Sequence, residues 1–104
     1  MNYSVILCTI NDKDKAKEIA KILLELRLIA CANIVDNVCS LYRWQGKICE
    51  DDEYLMILKS RRDLFNELKD KITELHPYEV PEIISLDVEH GSDSYLEWLN
   101  GQLK

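Results

Sequence analysis

Six side chains combine the chemical types by which clefts hold small molecules. Tyr42, Trp44 and Tyr78 offer aromatic faces, Lys59 a cation, His76 an imidazole and Glu82 a carboxylate. Tyr42 and Trp44 would serve equally well as anchors between subunits, where aromatic residues carry much of the buried area. Pro77 and Pro81 stiffen the connection that presents Tyr78. The four cysteines, Cys8, Cys31, Cys39 and Cys49, include no C-x-x-C pair, so their spacing supports neither a zinc knuckle nor a dithiol redox motif. Cys8 sits in an apolar run, as a small buried hydrophobe does. Cys39 and Cys49 fall on opposite arms of one hairpin, where they can be neighbours. No nucleophile stands beside a base, and Asn11-Asp12-Lys13-Asp14, after the first apolar run, is too acidic to cradle phosphate. The residue pattern does not indicate an enzyme.

The charge balance narrows the partners. A net charge of −6 with a pI near 4.8 argues against a nucleic-acid surface, which needs clustered Lys and Arg. The one dense basic group, Lys59, Arg61 and Arg62, reads as a solvated strand end. Residues 1–10 carry no basic segment before their apolar run, no cleavage-like end and too few apolar residues to span a membrane. The expectation is a cytoplasmic protein with reduced thiols. A chain of 104 residues is one domain, 1–104, and a domain of this size removes only about two-thirds of its unfolded surface from water.

These residues must be positioned by a short set of elements. Tyr3 to Thr9 reads as a strand, and Asn11 as the cap of a helix whose face is Ala16, Ile19, Ala20, Leu23 and Arg27, ending near Leu28. Ala30 to Trp44 and Ile48 to Arg61 form a long hairpin about the turn Gln45-Gly46-Lys47, with breaks expected near Asp36-Asn37 and Asp51-Asp52. Ser60 and Asp63 suggest a capping box before a second helix with Leu64, Phe65, Leu68, Ile72 and Leu75 on one face, stopped at Pro77. Glu82 to Val88 is the fourth strand. Ser94 and Glu97 suggest a second capping box, opening a short helix packed by Tyr95, Trp98 and Leu99.

The order βαββαβ plus a C-terminal helix predicts an α+β, ferredoxin-like sandwich with both main helices on one face of an antiparallel sheet. Helices then cover one face only. Yet strand one is apolar on both, with Val5 and Leu7 opposite Ile6 and Cys8, and strand three likewise, with Leu55 and Ile57 opposite Tyr54, Met56 and Leu58. The unpaired edges of the long hairpin also need cover. Both features predict a closed homo-oligomer.

Several segments together resemble one family. Ile29 to Val35, Ser40 to Lys47, Leu58 to Ser60 and Leu75 to Ile83, with Leu7-Cys8-Thr9 and the closing Tyr95 to Leu99, are similar to the CutA divalent-cation tolerance proteins over nearly the whole chain. The resemblance implies a homotrimer of PII-like architecture, a role in tolerance of copper and other divalent metals, and no enzymatic reaction. It implies copper ligation through Cys8 and His76, whose thiolate and imidazole suit copper or zinc. Leu75 stands where the family pattern carries a further histidine, so this chain keeps two of the three implied ligands. The alternative is a PII-like signalling or small-ligand module, with Tyr42, Trp44, Lys59, Tyr78 and Glu82 around a cleft between subunits.

Overall fold

A computed structural model describes residues 2–104. Met1, the first residue of the segment read above for a leader, lies outside the described residues. Alternation in the first apolar run makes β1 (Tyr3–Ile10), with Ser4, Ile6, Cys8 and Ile10 buried and their neighbours half-buried. The next helix, α1 (Lys13–Glu25), starts one residue later than Asn11 would place it. Asp12 is the cap, its carboxylate accepting from the Lys15 N–H at 3.1 Å.

The helix also ends short of Leu28. Arg27 takes a left-handed conformation (φ 57°), the Arg27 N–H donates to Leu24 O, and the Leu28 N–H donates to Leu23 O. This pair of bonds is a Schellman motif with arginine where glycine is usual. It turns Arg27 out of the apolar face and drives Leu28 into the core.

The hairpin is β2 (Cys31–Trp44) and β3 (Lys47–Arg61), joined by a two-residue turn. Gln45 and Gly46 both have positive φ, the geometry whose twist matches the strands, and Lys47 already pairs with Trp44. β2 breaks where expected. Val35 pairs with Leu55 but Val38 with Glu53, so two residues, Asp36 and Asn37, oppose one, and Asn37 takes φ 61°. β3, by contrast, runs through Asp51-Asp52 without a break.

A single 3₁₀ turn (Arg62–Leu64) leads into α2 (Phe65–Leu75). Ser60 is not its cap. The Ser60 side chain points into the core from β3 and donates to Leu28 O at 2.6 Å, tying the strand to the chain leaving α1. Pro77 holds His76 extended and stops α2. β4 (Ile84–Asp87) is shorter than the segment 82–88, and α3 (Asp93–Gln102) starts before Ser94, with Ser92 at its N-cap making no side-chain bond. Leu99 and Leu103 enter the core from α3, while Tyr95 and Trp98 lie against each other and stay 42% and 46% exposed.

The sheet is antiparallel with order β2-β3-β1-β4, the ferredoxin-like arrangement. One face carries Ile6, Cys8, Ile10, Met56 and Leu58 under α1 and α2, and this is the core. The other pairs Val5 with Leu86, Leu7 with Ile84 and Ile57, and Leu55 with Val35. Among the described residues no helix closes over the outer members of that apolar group: Val35, Ile84 and Leu86 are 42%, 48% and 52% exposed. Beyond Tyr54 the hairpin has no third strand and projects from the body, giving a longest dimension of 44 Å.

The left-handed arginine supplies a test of this description. Replacing Arg27 by glycine removes the Cβ clash of that conformation and is expected to raise stability by about 0.5–1 kcal/mol, measured as a rise in the urea midpoint at unchanged slope.

Candidate functional site

Cys8 and His76 converge on a single backbone atom. The His76 Nε2–H donates to Thr9 O at 2.9 Å, and the Cys8 thiol lies 3.9 Å from the same oxygen. Pro77 fixes the turn after α2, so the Tyr78 N–H folds back to His76 Nδ1 at 3.1 Å. Both ring nitrogens are thus engaged in the neutral imidazole, one donating and one accepting. Burial lowers the His76 pKa, outweighing the opposing pull of the Thr9 carbonyl and the Glu53 charge. Burial likewise pushes the Cys8 thiol up to about 12, reinforced by the negative charges of Glu82 and Glu53. At neutral pH Cys8 is therefore held as the thiol.

Tyr78 connects this pair to a larger feature. Its hydroxyl donates at 2.6 Å to Glu53, which is only 7% exposed, and its ring lies edge-on to His76. The hydroxyl pKa is raised, first by burial and then by that bond. On the far side of Glu53 opens a cleft of about 810 Å³ between the projecting hairpin and the loop after α2. Tyr42 and Trp44 from β2 face Tyr78 and Val80 from the loop. Tyr42 donates its hydroxyl to Asp51, which pushes the Tyr42 pKa up to about 12.

The charged residues on the cleft wall are Asp51, Asp52, Glu53, Glu79 and Glu82, all acidic. Among the described residues, each ion pair uses a carboxylate outside this set. The four further acids of the cleft carry no signal of periodicity or motif in the sequence. Only pairing across the hairpin and the return of the loop after Pro77 bring them together.

The structure therefore joins Tyr42, Trp44, Tyr78 and Glu82 in one cleft, and His76 behind it. Within one chain Lys59 stands apart from them. Lys59 pairs with Cys31 about 20 Å along β3 from Glu53, by the rise of a strand, and its ammonium bonds Asn33 and approaches Cys31 Sγ at 3.9 Å. Cys39 and Cys49 are also separated. Cys49 pairs with Tyr42 and Cys39 with Asp52, three positions away, which puts the two thiols on opposite sides of the hairpin. Among the described residues no three His, Cys, Asp or Glu side chains come together as a metal cluster, and no helix is long and apolar enough to cross a membrane.

His76 yields a pH test with a definite sign. Its folded pKa lies below the unfolded value near 6.5, so the unfolded chain binds the proton first. The stability that His76 contributes is complete above pH 6.5 and is lost as pH falls from there through the folded pKa. Urea midpoints measured between pH 7.5 and 5 are expected to fall, and to fall less steeply in His76→Gln.

With the geometry in place, comparison with known proteins is informative. The profile of the CutA1 divalent ion tolerance protein matches residues 4–102. The divalent-cation tolerance protein CutA of Thermus thermophilus is 46% identical over 95 residues, covering 91% of this chain and 92% of that protein. Its counterpart from Pyrococcus horikoshii is 47% identical over 100 residues, covering 96% and 97%. The crystal structure of CutA1 from Oryza sativa superposes with a TM-score of 0.97 at 36% identity, covering all of this chain and 95% of that one.

Proposed function

Since the chain belongs to the CutA1 divalent ion tolerance family, we propose that it serves divalent-cation tolerance as a cytoplasmic homotrimer that binds copper or another divalent cation weakly through Cys8 and His76. The observation that carries this reading is the convergence of that thiol and imidazole on the Thr9 carbonyl under the charge of Glu53 and Glu82. Burial does most to keep the thiol protonated, and the Glu82 and Glu53 charges that add to it would also lower the energy of a cation at the same place. Binding is weak because it costs both hydrogen bonds of the imidazole and a proton from Cys8, with only two protein ligands in return. The relatives are named as tolerance proteins, and no reaction is assigned to this chain.

The homotrimer rests on the uncovered sheet face. Val5, Leu7, Val35, Leu55, Ile57, Ile84 and Leu86 form one continuous apolar group, and fully burying each such side chain is worth roughly 1.5–3 kcal/mol. A second reading, a PII-like ligand module, is favoured by one observation: Tyr42, Trp44, Tyr78 and Glu82, read from the sequence as a cleft, do line a single cavity.

Two measurements check the proposal. Titration calorimetry with Cu and Zn on the purified chain should give weak binding that Cys8→Ser and His76→Ala each reduce by about tenfold or more; unchanged binding in both variants would remove these residues as ligands. Light scattering at micromolar concentration should return the mass of three 12.2 kDa chains, and a monomer mass would refute the trimer.

A further inference from the structure

Of the six asparagines in the chain, Asn100 alone precedes a glycine. An asparagine amide is lost when the backbone nitrogen of the next residue attacks the side-chain carbonyl carbon, and a side chain on that next residue obstructs the approach. Gly101 has none, and among the described residues nothing lies within 4 Å of where its Cβ would stand. The pair sits in the last turn of α3, where the Leu103 N–H already donates to Asn100 O in the tighter 3₁₀ manner, at 3.2 Å. Glycine is a poor helix former and terminal turns open first, which frees the Gly101 nitrogen from the helix. A second observation concerns the carbon to be attacked. Asn100 Oδ1 accepts from Arg61 Nη1 at 2.9 Å. The Arg61 side chain is only 13% exposed and is fixed on its other edges by Asp63 at 2.6 Å and by Lys104 O at 2.7 Å. A guanidinium held on the amide oxygen draws electrons from the amide carbon and stabilises the negative charge that this oxygen takes when a nitrogen adds.

We infer that Asn100 is a self-modifying site, hydrolysed through attack by the Gly101 nitrogen with Arg61 as the oxyanion donor. The Gly101 nitrogen gives up its proton and bonds to Asn100 Cγ. The Cγ–Nδ2 bond breaks, and the amide nitrogen leaves as ammonia with that proton. The cyclic imide then takes up one water at either of its two carbonyls. The sum is amide plus water to acid plus ammonia, with no change of oxidation state and no co-reactant but water. Opening at one carbonyl leaves an ordinary backbone with aspartate at position 100, facing Arg61 as an ion pair. Opening at the other routes the backbone through the side chain as isoaspartate, which inserts one extra carbon ahead of Leu103 and Lys104. Leu103 is buried in the core, and the Lys104 N–H donates to Arg27 O while its ammonium pairs with Glu67. Those contacts need the present chain length, so isoaspartate loosens the end of α3 from the body.

The test incubates the full folded chain at mildly alkaline pH. Peptide mass follows the change of amide to acid, and enzymatic methylation of isoaspartyl carboxyls counts that product. Asn100 is expected to convert ahead of the other five asparagines, and conversion led by another asparagine would overturn the inference. Gly101→Ala, which the open space accommodates, should slow the conversion by about tenfold or more. Arg61→Met keeps much of the aliphatic stem and removes the donor, and it should slow the conversion by about tenfold. A guanidinium that merely pinned the side chain would have the opposite effect, so unchanged or faster conversion in Arg61→Met overturns the role of Arg61. Should Arg61→Met fail to fold, the wild-type chain decides. Its folded rate should lie within about tenfold of the rate in urea, where no Arg61 contact exists; a folded rate slower than that would mean the helix shields Asn100 and would overturn the site. The isoaspartyl fraction, once separated, should unfold at a lower urea midpoint than the aspartyl fraction, and equal midpoints would overturn the loosening of α3.

Discussion

A four-stranded antiparallel sheet has two faces, and this chain packs two helices against one of them. The rest of the structure follows from that imbalance. Ile6, Cys8 and Ile10 meet Ala16, Ile19, Leu23, Leu68 and Ile72 beneath the helices, and the core is complete there. Val5, Leu7, Leu55 and Ile57, on the same two central strands, are left half-buried. α3 adds Leu99 and Leu103 to the core near the end of β3, where Arg61 donates to Asn100 at 2.9 Å, but Val35, Ile84 and Leu86 remain uncovered. A small domain gains proportionally more than a large one from additional burial, because so much of its surface stays wet.

The helix-covered half was legible in the sequence because periodicity reports burial directly. The faces read for α1 and α2 are buried or half-buried at every position except Arg27, and the strands pair as their alternation requires. The misreadings share a cause: short polar signals that several local structures satisfy. Asp12, not Asn11, caps α1 because both residues can accept a backbone N–H and only the helix phase chooses. Ser60 has the spacing of a capping box, yet it lies on the inward face of β3, where its hydroxyl must satisfy itself on a carbonyl. Arg27 fits the apolar stripe through its aliphatic stem, and nothing in a single sequence marks an arginine as left-handed. Within one chain Lys59 stands apart from the other residues of the cleft by distance along a strand, which residue type does not encode.

The bulge at Asp36-Asn37 decides where the aromatic residues go. Before it, Cys31, Asn33 and Val35 share the uncovered side of the sheet with Lys59, Ile57 and Leu55. After it, the extra residue reverses the alternation of β2, and Val38 and Tyr42 pair with Glu53 and Cys49, on the side that β3 shares with Leu55. Were the alternation to run unbroken through both Asp36 and Asn37, Tyr42 and Trp44 would point to the helix side, away from Glu53. A sequence reader can expect a break in so long a strand and cannot count the residues in it, so the cleft was legible as a set of types and not as a place.

Tyr78 joins the two candidate sites, and that sharing constrains how they can work together. Its backbone N–H holds His76 Nδ1, and its hydroxyl holds Glu53 at the back of the cleft. For His76 to turn a lone pair to a metal, the Tyr78 N–H must let go, and the loop that forms one wall of the cleft must shift with it. Any group seated against Glu53 would bear on the same tyrosine from its hydroxyl end. Coupling of this kind is reciprocal in free energy: whatever a ligand in the cleft does to metal affinity at Cys8 and His76, metal does to affinity in the cleft. One tyrosine is common to both, and Pro77 leaves the residues on either side little freedom to move independently.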